Sequence, residues 1–259
     1  MRIDILTLFP SMFQAALGES ILGRARNKGI LEIYCHQIRD FTENRQNQVD
    51  DYPYGGGQGC VMQAQPLHSC WKHVAEQASA PVHTIYLSPQ GVVFTQADAK
   101  RLASAHSHLI LVCGHYEGVD QRFIDACVDE ELSLGDFVLT GGEIPAMAVT
   151  DAVCRLVPGV LSGEACFTDE SHWNGLLEYS QYSRPAVWNG RAVPEILLSG
   201  HHANIARWRK KQSLLRTLQS RPELFRRYSP EKEDIAILRE LLAEITDSAL
   251  LALVEEKLE

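Results

Sequence analysis

The stretch Cys113-Gly114-His115-Tyr116-Glu117-Gly118-Val119-Asp120 directly follows the apolar run Leu109-Ile110-Leu111-Val112. An aliphatic run that stops at glycine is typical of a buried parallel strand that ends in a tight turn. The same pattern occurs twice more, in Val82 to Leu87 followed by Ser88-Pro89-Gln90-Gly91, and in Leu132 and Leu134 followed by Gly135-Asp136-Phe137-Val138-Leu139-Thr140-Gly141-Gly142-Glu143. These three stretches, with helical spacing between them, predict an α/β fold with a mainly parallel sheet.

The loops after these strands predict a ligand pocket. In open α/β sheets, ligands bind outside the carboxyl ends of the strands, and glycine lets backbone N–H and C=O groups come close to them. We expect a small-molecule pocket built mostly from backbone, with Glu117, Asp136 and Glu143 supplying negative charge. Three unrelated strand-to-helix turns are the alternative, and the loops alone leave both interpretations open.

Composition limits the class of protein. The chain is 45% hydrophobic and 22% charged with a net charge of -9, and its apolar and charged fractions are ordinary for a soluble globular protein. Its 259 residues are enough for one large domain or for a main domain with a smaller one. The seven cysteines and ten histidines show no metal-ligand spacing, so we expect reduced thiols in the cytoplasm and no metal held by protein ligands. No stretch approaches the ~20 apolar residues of a membrane span.

The pattern changes after Pro158-Gly159. A weakly periodic linker follows, and from Ala203 onward the sequence is helical only. Residues 207–227 hold eight basic side chains against one acid, Glu223, with Trp208, Phe225 and Tyr228 interleaved. This excess of positive charge favours contact with an RNA backbone over the alternative, a solvated helix face.

Two further features remain open from the residues alone. The glycine-rich stretch Tyr54 to Gly59 is neither a Walker A loop nor a Gly-x-Gly-x-x-Gly fingerprint, so it is either a flexible turn or a surface against which a nucleobase lies. Asp169 and Glu170 follow Arg155 in the chain; a carboxylate and a guanidinium can form a base and an electrophile, although most such pairs are structural.

With these motifs in order, the chain resembles the bacterial tRNA (guanine-N1)-methyltransferase family over nearly its whole length. The matching stretches, besides the three loops, are Thr7-Leu8-Phe9-Pro10-Ser11-Met12-Phe13, Asp50-Asp51, Tyr54-Gly55-Gly56-Gly57 with Gly59, Arg155-Leu156-Val157-Pro158-Gly159-Val160-Leu161, and Leu197-Leu198-Ser199-Gly200-His201. Departures from the family pattern are Gln46-Asn47, Tyr52, Cys60 and Ser180.

The resemblance implies an architecture. It implies a parallel-sheet α/β domain with a deep trefoil knot of the SPOUT class over residues 1–161, a flexible linker over 162–175, and a small all-helical tRNA-binding domain over 176–259. It also implies an obligate homodimer whose active sites are shared, with S-adenosylmethionine as methyl donor and tRNA as partner. The family is associated with Mg²⁺, for which we expect no dedicated protein site.

The resemblance also implies roles for individual residues. The residues expected to contact the cofactor are Tyr86, Leu87, Ser88, Pro89, Gly114, Tyr116, Glu117, Ser133, Leu134, Gly135, Asp136, Phe137, Val138, Leu139, Gly141 and Pro145. Those expected to bind the substrate are Asp50, Gly59, Ser199, His201 and Arg209.

For catalysis, the resemblance implies that Arg155 stabilises charge on O6 of guanine while a linker carboxylate removes the N1 proton. The family's Asp-Ser-Phe is Asp169-Glu170-Ser171-His172 here. Alignment on Ser171 places Glu170 at the base position with Asp169 beside it, and both stay candidates. A methyltransferase that acts on ribose or ribosomal RNA, and a non-catalytic RNA-binding protein, are the alternative functions.

Overall fold

The computed structural model describes residues 1–163 and 165–258. Glu164, in the predicted linker, and Glu259, at the end of the predicted C-terminal domain, lie outside the described residues. The chain divides into two compact units, residues 1–163 and residues 164–259. No helix of the described ranges has both the length and the apolar character that a bilayer crossing requires.

The first unit is built on a five-stranded sheet in the order β2-β1-β6-β5-β7, with every neighbouring pair parallel. Its strands are β1 (Arg2–Thr7), β2 (Glu32–Gln37), β5 (His83–Val93), β6 (His108–Cys113) and β7 (Glu130–Ser133). A separate antiparallel pair, β3 (Asp50–Asp51) and β4 (Val61–Met62), encloses the glycine-rich stretch. All six residues of β6 are buried, as its uninterrupted apolar run predicts.

Helices cover both faces of this sheet, which confirms the predicted α/β class. They are α1 (Phe13–Gly18), α2 (Ser20–Asn27), α3 (Ala64–Glu76), α4 (Gln96–Ala105), α5 (Gln121–Cys127) and α6 (Glu143–Cys154). Apolar residues of α1, α2, α4 and α6 share one core with the strands, and those of α3 and α5 share a second core on the opposite face. The sheet is therefore covered by helices on both faces.

Strand β5 contains an excursion that the sequence does not predict. Leu132 of β7 pairs with Leu87 and again with Val92, so residues 88–91 leave the sheet and the chain then rejoins the same neighbour. Gly91 permits the return, since a Cβ there would lie 2.5 Å from the carbonyl carbon of Glu131. The Ser-Pro-Gln-Gly turn is consequently a loop inside one strand.

One carboxylate is buried in the middle of this sheet. Asp4 on β1 is 0% exposed, and its oxygens lie 2.6 Å from His36 Nε2, 2.7 Å from His108 Nε2 and 2.6 Å from Arg2 Nε. Burial by itself raises the pKa of Asp4, but the hydrogen bonds from His36, Arg2 and His108 outweigh it and lower the pKa to about 2. The partners that keep Asp4 ionised thus come from β1 itself (Arg2) and from the neighbouring strands β2 (His36) and β6 (His108).

The second unit is mainly helical, as predicted. Its elements are α7 (Ala165–Thr168), β8 (Val187–Trp188), β9 (Arg191–Ala192), α8 (Glu195–Leu198), α9 (His202–Ser220), α10 (Pro222–Arg227), α11 (Lys232–Glu244) and α12 (Ser248–Glu256). Leu214, Leu218, Phe225, Leu238 and Leu241 form its core. The expectation that this part is all helical is corrected by the hairpin β8-β9, whose Asn-Gly turn is a standard hairpin signal.

Candidate functional site

A cavity of about 270 Å³ lies where β5, β6 and β7 end. Three loops enclose it: the excursion in β5, the loop after β6 and the loop between β7 and α6. It is lined by Tyr86, Leu87, Ser88, Pro89, Gln90, Gly114, His115, Tyr116, Glu117, Gly118, Val119, Gln121, Ile124, Glu131, Leu132, Ser133, Leu134, Phe137, Val138, Leu139, Thr140, Gly141, Gly142 and Pro145. The three loops that the sequence singles out therefore surround one space.

All the residues expected to contact the cofactor line this cavity except Gly135 and Asp136. These two lie in the same loop but are not among the residues that line the cavity. Ser133 Oγ accepts from Gly135 N at 3.2 Å, and Asp136 is exposed. Of the three carboxylates expected to supply negative charge, only Glu117 lines the cavity, and a carboxylate that was not expected there, Glu131, lines it as well.

Glu143, the third of these carboxylates, is part of the scaffold. It is 3% exposed at the first turn of α6, and its Oε1 accepts a hydrogen bond of 2.8 Å from Thr7 Oγ1. The same Thr7 oxygen accepts from Phe9 N at 2.9 Å. A carboxylate at a helix N-terminus is stabilised by the helix dipole, so Glu143 fastens α6 to the end of β1.

Glycines leave the cavity wall open to backbone contact. A Cβ on Gly114 would lie 2.8 Å from the ring of Tyr86, and one on Gly141 would lie 2.4 Å from Glu143 Oε2 and 2.7 Å from His115 Nδ1. Burial, with a smaller contribution from Glu131, raises the pKa of Tyr86 to about 12, so the phenol is neutral. The wall thus combines backbone amides and the neutral phenol of Tyr86 with two carboxylates, Glu117 and Glu131.

The glycine-rich stretch reaches the rim of this cavity. Gly59, at φ +84°, lies so close to Glu117 that a Cβ would come within 2.6 Å of that side chain. Glu117 N also donates to Cys60 O at 3.0 Å, and Met62 N donates to Gly118 O at 2.9 Å. Asp50 and Gly59, two of the predicted substrate residues, belong to this hairpin, with Asp50 in β3 at its base.

Some lining residues were missed by sequence reasoning. Seven of them lie inside the quoted motifs, so inclusion of the whole motifs would have found them: Gln90, His115, Gly118, Val119, Leu132, Thr140 and Gly142. Gln121 and Ile124 on α5 and Glu131 on β7 carry no such signal. They reach the cavity because α5 and β7 pack beside it.

Arg155 lies at the far end of α6 from the cavity. It follows Cys154 as the C-terminal cap, and its N–H donates to Asp151 O at 3.1 Å. The cavity is lined by Gly142 and Pro145 at the opposite end. A helix of 12 residues is about 18 Å long, which exceeds the reach of an arginine side chain.

The two linker carboxylates belong to the second unit. They follow α7, with Asp169 exposed and Glu170 half-buried. Glu170 N donates to Phe167 O and Trp173 N donates to Glu170 O, each at 3.3 Å. The two adjacent carboxylates of this turn thus differ in exposure. The choice of one of them as general base must take this difference into account.

The basic stretch of the second unit proves to be partly neutralised. Arg207 bonds to Glu240, Lys211 lies 2.6 Å from Glu244, and Lys210 lies 3.2 Å from Asp234. These three pairs tie α9 to α11. On the side of α9 that faces α11, basic side chains that the sequence suggests for RNA contact therefore already pair with carboxylates.

The predicted substrate residues of this unit lie at or near the start of α9. Ser199 Oγ accepts from His201 N at 3.2 Å, and His201 is the N-terminal cap of α9. The guanidinium of Arg209 lies 4.7 Å from the ring centre of Tyr179. Arg209 is exposed and stacked on an aromatic ring, an arrangement suited to a phosphate or a base.

Within residues 1–163 and 165–258, no group of three or more His, Cys, Asp and Glu side chains is placed to hold a metal ion. The buried thiol Cys113 at the end of β6 has a pKa raised well above its ordinary value by burial and by Glu143.

Comparison with known proteins gives one consistent answer. The sequence profile of the family described as tRNA (Guanine-1)-methyltransferase TrmD matches residues 1–227. The chain is 56% identical over 225 residues to the tRNA (guanine-N(1)-)-methyltransferase of Ruminiclostridium cellulolyticum, covering 87% of this chain and 96% of that protein. The protein of the same name from Pelotomaculum thermopropionicum is 52% identical over 248 residues, covering 95% of this chain and 98% of the relative.

Proposed function

The chain belongs to the tRNA (guanine-1)-methyltransferase family and is a tRNA (guanine-N1)-methyltransferase. On this premise we propose that S-adenosylmethionine is the methyl donor and that the target is the guanosine immediately 3′ of the anticodon. A linker carboxylate, Glu170 or Asp169, acts as general base, and Arg155 stabilises negative charge on O6.

The observation that carries the donor proposal is the single cavity formed by three loops at neighbouring strand ends. Its fit to the donor rests on Gly114 and Gly141, where a side chain would collide with Tyr86 or with His115 and Glu143. Backbone groups at such positions can hydrogen-bond a planar nucleoside at close range. When bound there, the donor supplies an electrophilic methyl group on a sulfonium.

The residues outside the cavity supply the acid–base chemistry. N1 of guanine is a poor nucleophile while it carries a proton, so a carboxylate within hydrogen-bond reach must remove that proton as the methyl group is transferred. Negative charge then spreads to O6, where a preorganised guanidinium stabilises it. The base must leave its stack to reach these groups, and this is easiest in an anticodon loop.

The position of Arg155 supports a homodimer with shared sites. Because the length of α6 separates Arg155 from the cavity of its own chain, we propose that Arg155 serves the cavity of a second subunit. Exposed apolar residues beside the cavity, among them Val138 at 81% and Ile144 at 51% exposed, offer surface for such a partner. We propose that each active site combines one subunit's cavity with the other subunit's Arg155 and linker.

The remaining expectations stay part of the proposal. We propose a deep trefoil knot in the loops around the cavity, and domain limits at residues 1–161, 162–175 and 176–259. We also propose that the enzyme works in the cytoplasm, where its tRNA substrate is found. Any Mg²⁺ that it uses would be held with the substrates.

Methylation with product mapping tests the function. Protein, labelled S-adenosylmethionine and a tRNA transcript with guanosine 3′ of the anticodon should give N1-methylguanosine, which arrests primer extension at that position. The matched transcript with adenosine there should remain unlabelled. A labelled ribose, or label in ribosomal RNA alone, would favour the first alternative enzyme, and absence of calorimetric donor binding would favour a non-catalytic RNA-binding protein.

A further inference from the structure

The hairpin β8-β9 is a well-defined projection of the second unit. Its turn residues Asn189 and Gly190 have φ values of 49° and 76°, as a two-residue type I′ turn requires. Val193 N donates to Ala186 O at 2.8 Å and extends the ladder beyond the two paired positions. Residues 181–192 are all exposed. Successive side chains of the hairpin therefore point to opposite faces, and both faces are exposed.

The two faces of this hairpin differ in chemistry. Trp188 pairs with Arg191, and Val187 pairs with Ala192. Since successive side chains of a strand point to opposite faces, the indole and the guanidinium share one face while the two small aliphatic side chains share the other. Trp188 is 66% exposed. A large aromatic ring ordinarily contributes by burial, so this face is suited to a partner.

Charge indicates the kind of partner. Residues 181–194 contain Arg184 and Arg191 and no aspartate or glutamate, in a chain whose net charge is -9. A local positive charge beside an exposed ring matches a nucleotide, whose base stacks on aromatic side chains and whose phosphate binds a guanidinium. The opposite face, with Val187 and Ala192, lacks both groups.

We propose that Trp188 is a stacking platform for an unpaired base of the tRNA substrate and that Arg191 binds the phosphate of the same or the adjacent nucleotide. The inference rests on the proposed function, because it takes tRNA as the ligand. It adds a substrate contact beyond Asp50, Gly59, Ser199, His201 and Arg209.

Binding of a fluorescently labelled tRNA transcript to the full-length protein tests this platform. Trp188→Ala should raise the Kd for tRNA by ~5-fold or more, because loss of one base–aromatic stack has an effect of that order. Trp188→Phe retains a ring and should remain within about twofold of the wild type. Val187→Ala, on the opposite hairpin face, is the matched control and should leave the Kd unchanged, and circular dichroism checks that each variant is folded.

Three readouts separate the platform from a general loss of structure. Arg191→Ala should reduce the slope of log Kd against log salt by about one, as expected for one lost phosphate contact. The KM for S-adenosylmethionine should be the same in wild type and Trp188→Ala. Tryptophan fluorescence quenched by tRNA in the wild type should be quenched less in Trp188→Phe.

The inference is overturned if Trp188→Ala binds tRNA as tightly as the wild type. It is equally overturned if this variant changes only the sedimentation of the protein, since the face then contacts a second copy of the chain. The proposed function is tested separately by the wild-type product. Correct N1 methylation with unchanged binding by Trp188→Ala rejects only the platform, whereas weakened binding without any methylation by the wild type rejects only the proposed function.

Discussion

At the scale of single residues, the proposed general base is one of two adjacent linker carboxylates. Asp169 is exposed and Glu170 is half-buried, although they are adjacent. The alignment on Ser171 favours Glu170 as the base. We predict that Glu170→Gln lowers kcat at least ~100-fold, because proton removal by a positioned group contributes that much, while Asp169→Asn changes kcat by less than about threefold.

Single-turnover methylation at saturating tRNA and donor measures this difference. Equal donor affinity in both variants, measured by calorimetry, controls for misfolding. The reverse result, with Asp169→Asn inactive and Glu170→Gln active, would assign the base to Asp169.

Gly142 shows how closely the cavity loops pack. Its φ of -79° is open to any residue, but a Cβ would lie 2.7 Å from Cys113 Cα and 2.9 Å from Gly114 N. We predict that Gly142→Ala weakens donor binding at least ~10-fold and lowers stability by about 1–3 kcal/mol, since overpacking against backbone forces the loops apart.

Calorimetric titration with the donor and urea unfolding measure these two effects. Gly18→Ala is the control, because nothing lies within 4 Å of a Cβ at that position. An unaltered donor Kd in Gly142→Ala would show that the loops yield without changing the cavity.

The residues of the site could be predicted to the extent that they lie in motifs. Glycine after an apolar run marks a strand that ends at a loop, and this pattern located the three loops, whereas the individual cofactor residues followed from the family resemblance. Gln121, Ile124 and Glu131 line the cavity through the packing of α5 and β7, and such packing has no local pattern. Glu143 was assigned to the pocket although it bonds to Thr7, because the partner is 136 residues away in the chain.

At the scale of elements, strand β1 carries one buried carboxylate, Asp4, which hydrogen bonds keep ionised. The pKa of Asp4 is lowered from 3.8 to about 2, so its ionised form is favoured in the folded state. Its contribution to stability is fully present above about pH 4 and is lost as the pH falls through about 2. We predict that Asp4→Asn lowers the free energy of unfolding at pH 7 by about 2 kcal/mol or more.

Urea unfolding of wild type and Asp4→Asn at a series of pH values from 7 to 3 measures this. The difference between them should shrink below about pH 4. Glu32→Gln, at an exposed position on β2, is the control. A difference that is constant with pH would mean that the charge on Asp4 contributes nothing.

Helix α9 carries basic residues of two kinds. Arg207 bonds to Glu240 on α11, whereas Arg209 stacks on Tyr179. We predict that Arg209→Ala raises the Kd for tRNA by ~5-fold and reduces the salt slope by about one. Arg207→Ala, a matched exposed arginine two residues away, should change the Kd by less than about twofold. Fluorescence anisotropy with labelled tRNA at several salt concentrations measures both, and equal effects would show that the ion pairs with α11 open on binding.

The positions of the helices and strands were more predictable than the contacts between them. Hydrophobic periodicity located the sheet strands and the long helices. It could not show that α11 neutralises α9, because the pairs join residues about 33 positions apart. It also could not show the excursion of β5, since the return of Val92 to Leu132 depends on sheet pairing and not on local propensity.

At the scale of the whole molecule, the separation of Arg155 from its own cavity predicts complementation between subunits. Gly114→Val should block the cavity through the ring of Tyr86, and Arg155→Ala should remove the charge partner on O6. Each variant alone should be inactive. Mixed dimers contain one intact cavity facing one intact Arg155, so co-expression should restore about a quarter of wild-type activity.

Activity of the purified mixed population, compared with each variant alone, measures this. Sedimentation confirms that both variants associate. Absence of recovery in a confirmed mixed dimer would place Arg155 and the cavity of the same chain in one site, contrary to the distance along α6.

The excursion of β5 has a consequence for inhibitor discovery. The loop at residues 88–91 is fastened to Leu132 at both of its ends, so that wall of the cavity has its shape before any compound arrives. Rigid compounds matched to the empty protein should therefore lose little affinity to ordering of their target. Screening against the unliganded enzyme is accordingly a sound starting point. Chemical elaboration of a hit should follow the surface formed by residues 88–91.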